Sequence, residues 1–252
     1  EKLLADAQVN KVAYTNMTGD ILKARSDAKL NQGQNFSRLM SFAMYGPKSP
    51  ATNLLTEAEL TNMNPQELVD RIHNQNSYKH RILYYGPSSS KDLLATINQY
   101  HQVPATLKEI PAGNEYSYLE TPVTKVLIAP YDAKQIYMAQ ISNLDKKYDP
   151  AIEPIRALYD EYFGGGMNSI VFQEMRETRG LAYSAWASIM PPSYLKYPYV
   201  LRTQIATQND KMIDAVTTFN DIINNMPESE AAFKLAKDGL TNRLRTERII
   251  KG

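Results

Sequence analysis

The chain has no cysteine among its 252 residues, which excludes disulfide cross-links, thiolate metal ligands and thiol nucleophiles while leaving every redox compartment open. It has only three histidines, His73, His80 and His101, and none has a second histidine four residues away. Neither H-x-x-E-H nor H-E-x-x-H therefore occurs, the patterns that put two imidazoles on one helical face toward a metal with a glutamate to activate water. A zinc site assembled from the three by tertiary contact is disfavoured too, because structural zinc sites favour clustered Cys and His ligands; surface or hydrogen-bonded imidazoles are expected, and no metal ligand is assigned. Charge of either sign is hardly in excess, with 28 basic and 27 acidic residues, so nothing electrostatic calls for nucleic acid or an anionic membrane as partner. No apolar run approaches the roughly 20 residues needed to span a bilayer, and no charged-then-apolar leader is recognisable. A water-soluble fold is expected, at home in periplasm or cytoplasm alike.

What is present is a chain with 43% hydrophobic and 22% charged residues, enough for one large core or two modest ones, of which two is the better reading. Residues 1 to 45 carry helical periodicity, broken at Asn31 to Gly33, and a second helix with Phe36, Leu39, Met40 and Ala43 is expected to end at Tyr45-Gly46-Pro47. Start signals recur at Thr56 with Glu59 and at Asn64-Pro65-Gln66-Glu67, the pattern of a capped first turn. His80 to Tyr85 reads as a strand and Lys91 to Tyr100 as a helix. Prolines 104, 111 and 122 with Gly113 punctuate the segment from His101 to Pro122, which is the candidate linker. Beyond it the order predicted is strand (125 to 129), strand (135 to 142), helix (154 to 163), strand (181 to 189), strand (199 to 206), helix (210 to 226) and a last helix starting near Ser229 that is still periodic at Ile249. No capping signal precedes Glu1 and no stop follows Ile249, so the chain is expected to begin and end inside elements, as a piece of a longer protein would. Strands grouped with helix pairs point to an α+β fold: two-layer α/β domains with helices packed on one face of a mostly antiparallel sheet.

One stretch carries the chemistry, Phe163 to Ser188, FGGGMNSIVFQEMRETRGLAYSAWAS. A triple glycine, Gly164, Gly165 and Gly166, ends one helix. A short amphipathic helix with Ile170, Val171 and Met175 on one side follows and stops at Gly180. From Leu181 the period falls to two, a strand with Leu181, Tyr183, Ala185, Ala187 and Ile189 on one face. Arg176 and Tyr183 stand seven positions apart across that turn, so a cation and a phenol are positioned to face one cavity. A phosphate loop is excluded, because the glycines follow a helix rather than a strand and no Lys-Ser/Thr comes after them; an interhelical hinge and a substrate-facing loop both remain open for them. Taken singly, Arg176 reads as a solvated or salt-bridged helix residue, Tyr183 as a sheet aromatic, and Trp186, on the other strand face, as core. The 17 tyrosines suit a peptide cavity, but nothing selects which of them line it.

The run FGGGMNSIVFQEMRETRGLAYS resembles the signature of the C-terminal half of pitrilysin/insulinase-type zinc metallopeptidases, a family that includes the mitochondrial processing peptidases. There a glycine-rich loop precedes a helix, an arginine, and a tyrosine seven residues on; Arg176 and Tyr183 match that pair, and Gly180, Leu181 and Ala182 its surroundings. The resemblance implies a processing-peptidase-like fold, with residues 1–110 forming the later part of one α+β domain and 115–252 a second domain that carries the glycine-rich loop and the Arg/Tyr pair. It implies a substrate-binding, non-zinc half of a metalloendopeptidase, inactive alone. Its zinc would lie on another domain or chain of the same family, and its substrate would be a peptide or unfolded polypeptide. Arg176 and Tyr183 are then the substrate- and transition-state-anchoring pair, Gly164 to Gly166 substrate-binding, and no cofactor is expected in this chain. The alternative is an inactive family member acting as a structural scaffold or as a separate peptide-binding subunit.

Overall fold

The structure, a computed structural model, describes residues 2–247. In chain order its elements are α1 (Lys2–Ala5), α2 (Lys11–Lys29), α3 (Gln32–Tyr45), α4 (Glu57–Asn62), α5 (Gln66–Asn74), α6 (Ser90–Tyr100), β1 (Gln135–Lys147), α7 (Glu153–Phe163), α8 (Ile170–Phe172) running into a π-helix (Gln173–Thr178), β2 (Ser184–Met190), β3 (Pro198–Gln208), α9 (Met212–Asn224) and α10 (Glu230–Thr246). The periodicity expected at Ile249 lies outside the described residues. Contacts divide the chain into two compact units, residues 2–30 with 54–115, and residues 31–53 with 116–247. Residues 31–53, which sequence alone groups with the first domain, pack in the second unit.

The first unit is helical. Asn10 caps α2 by accepting the Ala13 amide at 2.9 Å. Thr56 and Glu59 close a reciprocal capping box on α4, which satisfies two of the amides every helix start leaves free. The Tyr14 hydroxyl of α2 donates to the Leu60 carbonyl of α4, and Leu60 and Val69 are buried. The strand expected at His80 to Tyr85 does not form: Leu83 is 92% exposed and Tyr85 73%, and the pairing in this region is a single parallel bridge between Tyr78 and Lys108. A β-prone run becomes a strand only when a neighbouring strand accepts its amides.

In the second unit three antiparallel strands form a sheet in the order β1-β3-β2. Met138 pairs with Ile205 and Ala185 pairs with Ile205, and these residues face the core with Phe163, Val171, Met175 and Phe219, all 1% exposed or less. Helices α7 and α9 and the π-helix cover this face. Each large side chain so buried contributes about 1.5–3 kcal/mol. Tyr137 lies one residue out of phase and so on the opposite face, where its ring meets Phe36 of α3 at 5.6 Å. Helix α3 covers part of this second face. That helix is tied down at its end, where the Leu119 amide donates to the Met44 carbonyl at 2.7 Å and Tyr45 packs on Tyr118; burial pushes the Tyr45 hydroxyl up to about 12. The strand expected at Lys125 to Ala129 is absent as well, with Val126 and Ile128 each 79% exposed. Trp186, expected in the core, is only half-buried and carries the Arg202 guanidinium 5.2 Å from its ring.

The outer edge of β2 is sealed by α7. The Ala187 amide donates to the Gly164 carbonyl at 3.4 Å, and the Ile189 amide and Ser188 hydroxyl donate to the Asp160 carboxylate at 2.8 and 3.0 Å. Arg156 reaches Asp160 at 2.6 Å, Glu153 at 3.0 Å and the Ile189 carbonyl at 3.0 Å. Burial raises the Asp160 carboxyl above its ordinary value against those hydrogen bonds, while the Tyr199 hydroxyl, donating at 2.6 Å, holds Glu153 below its own. A Cβ on Gly164 would fall 2.2 Å from the Ala187 carbonyl oxygen and 2.4 Å from its nitrogen. Backbone atoms have little room to give, so Gly164→Ala is expected to cost about 1–3 kcal/mol, read by urea denaturation through the fluorescence of Trp186 in the adjoining strand. Gly166→Ala, where the nearest atom is 3.9 Å away, is expected to stay within about 0.5 kcal/mol of the parent. Equal stabilities for the two variants would show that α7 does not need this close approach.

Candidate functional site

Ser169, fully buried, caps α8, and the helix then widens into the π-helix at Gln173–Thr178, a distortion that recurs at functional positions. The helix closes on Gly180, at φ +56, a left-handed conformation glycine adopts without steric cost. The Gly180 amide donates to the Arg176 carbonyl at 3.1 Å, and the amides of Leu181 and Ala182 share the Met175 carbonyl at 2.8 and 3.1 Å. The Leu181 carbonyl accepts the hydroxyl of buried Thr207 at 2.6 Å. The Tyr183 amide donates to the Ala206 carbonyl at 2.8 Å, extending the β2–β3 ladder by one bond beyond the strand's first residue. Chain direction thus reverses within a few residues, every donor of the turn is used, and Tyr183 arrives beside Arg176.

The Arg176 guanidinium lies 5.9 Å from the Tyr183 ring centroid and 5.0 Å from that of Phe172, within the range of cation–π attraction. Its Nε is 3.6 Å from Glu177, too loose for a strong ion pair. Both members of the pair are open to solvent, the Arg176 side chain at 47% and Tyr183 at 72% exposure. They share a surface pocket of about 280 Å³ whose other walls include Gly180, Thr207, Lys211, Gln135 and Gln208. Gln135 and Gln208 are register partners at the ends of β1 and β3, and Lys211 immediately precedes α9. Lys211 and Thr207 were not singled out by sequence reasoning: they meet the Arg/Tyr pair only because β3 and α9 return to the Gly180 turn, and no local spacing announces that. Of the tyrosines, Tyr183 is the one that lines this pocket among the described residues.

The glycines are placed elsewhere. Gly164 lies against Ala187, a Cβ on Gly165 would meet the Asp160 carbonyl at 2.7 Å, and Gly166 is more open; none of the three lines the pocket with Arg176 and Tyr183. In the first unit His80 and His101 meet, Nε2 to Nε2 at 2.7 Å, with His80 Nδ1 against the Tyr78 carbonyl at 2.7 Å. The carbonyl requires a proton on His80 Nδ1, so a neutral His80 accepts at Nε2 and His101 donates. Two imidazoles so joined leave no shared lone pair for a metal. Among the described residues no group of three His, Cys, Asp or Glu side chains is arranged to hold an ion, and the donor set does not fit zinc.

The fold is of the α+β class, a small antiparallel sheet packed by helices with an Arg/Tyr pair at a helix-to-strand turn. From residue 82 to 240 the sequence matches the family model described as the peptidase M16 inactive domain, more than half of the chain, and the chain belongs to that family. Similar solved structures include a peptidase M16 inactive domain from Pseudomonas fluorescens (16% identity, TM-score 0.62, 95% of this chain and 58% of that one) and the periplasmic protease PqqL from Escherichia coli (14%, 0.68, 94% and 26%). A third is the ferredoxin protease FusC, solved in complex with Arabidopsis ferredoxin (11%, 0.64, 97% and 27%). At these identities the likeness speaks to the fold. This chain spans little more than half of the first structure and about a quarter of the other two. No curated protein matches the sequence.

Thr207 is the test of how the site is held. Thr207→Val leaves the Leu181 carbonyl without its buried donor and is expected to cost about 1–3 kcal/mol, measured by denaturation followed at Trp186. Thr207→Ser keeps the hydroxyl and is expected to recover most of that loss. If valine and serine variants are equally stable, the hydrogen bond does not hold the turn.

Proposed function

We propose that this chain is the substrate-holding, non-zinc half of an M16-type zinc metalloendopeptidase, closing on a peptide opposite a zinc site borne by another domain or chain. The observation that carries the reading is the meeting of Arg176 and Tyr183 on one open pocket at the helix-to-strand turn. A guanidinium offers several fixed N–H donors and a phenol one O–H. Such a pair binds peptide carbonyl oxygens, fixes the register of an extended chain, and stabilises negative charge developing on a carbonyl oxygen during attack. Their solvent exposure fits a surface that becomes dry only when a second body covers it, where each donor gains strength. The glycines assigned to substrate in the sequence reading divide in this proposal: Gly164 keeps α7 close to β2, Gly165 lies against the backbone of α7's own last turns, and Gly166 is the one with room to face a ligand.

A peptide or unfolded polypeptide is the substrate class this chemistry suits, and a protein partner bearing zinc is the complement. The ferredoxin-bound relative supports a protein as ligand. The chain by itself is expected to hydrolyse nothing and to carry no stoichiometric zinc; one tightly held zinc per chain by elemental analysis would contradict this.

In the intact protein, Arg176→Ala and Tyr183→Phe are each expected to reduce kcat/KM by about 100- to 1000-fold, with a rise in KM where the lost donor also positions substrate. Melting temperature is expected to be unchanged, since both side chains are solvated. Steady-state kinetics and thermal melting on the same variants make the test. Wild-type kinetics at unchanged melting temperature would assign the stretch a purely structural role, that of a scaffold.

A further inference from the structure

Two cations and no anion meet in the pocket. Lys211 Nζ donates to the Gly180 carbonyl at 3.0 Å, the same residue whose amide is held by the Arg176 carbonyl, so one glycine turn fixes the root of the arginine and the head of the lysine. An ammonium has three donors, and one is used here. Among the described residues, no aspartate or glutamate lines the pocket; its remaining polar walls are the Tyr183 phenol, threonine and glutamine side chains and backbone. Glu177 reaches Arg176 from outside the lining at 3.6 Å, and offsets its charge only in part. Peptide carbonyls alone do not call for this arrangement, since they are neutral and the Arg/Tyr pair already supplies their donors. A second cation beside the first, with the acids kept out, is what a carboxylate requires.

We infer that Lys211 sets specificity: the pocket takes a peptide through a carboxylate, lodged between the Lys211 ammonium and the Arg176 guanidinium. This rests on the proposed function and narrows it to acidic ligands. The carboxylate has two possible sources, the free C-terminus of a peptide or an Asp or Glu side chain within it, and one chemistry serves both. Lys211 acts as a selecting group, not through proton or electron transfer.

The test uses the full-length protein and tetramethylrhodamine-labelled decapeptides of alanine, glycine and leucine in a two-by-two set: with one central glutamate or glutamine, each as free acid or C-terminal amide. Binding is followed by fluorescence anisotropy at low and high salt. The parent is expected to bind a carboxylate-bearing peptide about fivefold more tightly than the glutamine amide, the range of a solvent-accessible charge pair, with the preference shrinking as salt rises. Which of the two single-carboxylate peptides shows the preference identifies the source. Lys211→Gln retains a donor for the Gly180 carbonyl and is expected to abolish the preference; Lys211→Arg is expected to restore it, and Lys211→Glu to invert it. The inference is overturned if the Lys211 variants bind all four peptides as the parent does, or lose affinity for all four equally, which would make the lysine a structural tie to Gly180. Failure of the underlying reading is distinct: Arg176→Ala then leaves binding of the glutamine amide unchanged, and no peptide binding at all would overturn both.

Discussion

The closure of β2's outer edge by α7 is the constraint on which the second unit depends. An edge strand offers a row of unpaired amides, and here they are met by the Gly164 carbonyl and the Asp160 carboxylate rather than by another strand. The approach is possible only because position 164 has no Cβ. With that edge fixed, and β3 holding the other, β2 has one position; α8 and the π-helix, strung between Gly166 and β2, inherit it. The Arg156, Glu153 and Asp160 cluster holds the clamp from beneath.

From there the functional geometry is a matter of one turn. Gly180 reverses the chain in a left-handed conformation, and its neighbours spend their amides on Met175, Arg176 and Ala206 and the Leu181 carbonyl on Thr207. A fully bonded turn is stiff, so its backbone needs little further ordering when a ligand binds. Arg176 departs from the helical side, Tyr183 from the strand side, and Lys211 joins from the start of α9. The pocket is open to solvent, and in the proposed reading a second body covers it. Among the described residues no group of three His, Cys, Asp or Glu side chains is arranged to hold an ion; the family is described as an inactive domain.

Local chemistry was legible in the sequence. Thr56 with Glu59 caps the helix it precedes, and α3 ends at Tyr45 before Gly46 as its pattern predicts, because caps and periodicity act within a few residues. The Arg176/Tyr183 pairing could be read as well, since the Gly180 turn is local and the ladder beyond it is alternating. What could not be read depends on distant partners. His80 to Tyr85 and Lys125 to Ala129 have strand composition without a strand beside them. Trp186 looks like core but faces Arg202 on the side of the sheet away from the main core. The triple glycine looked equally like a substrate loop and a hinge, and only the nearness of Ala187 shows why Gly164 must be glycine. Lys211 and Thr207 reach the pocket through β3, a tertiary event with no motif.

The central claim is that the Arg176/Tyr183 face touches substrate peptide. Photo-crosslinking tests it most directly: benzoylphenylalanine placed at position 183 of the full-length protein, with position 194, an exposed tyrosine of the same unit, as the control. The account predicts a peptide adduct at 183 that unlabelled peptide competes away, and none at 194. Adducts at both positions alike, or at neither while the peptide remains bound, would contradict it.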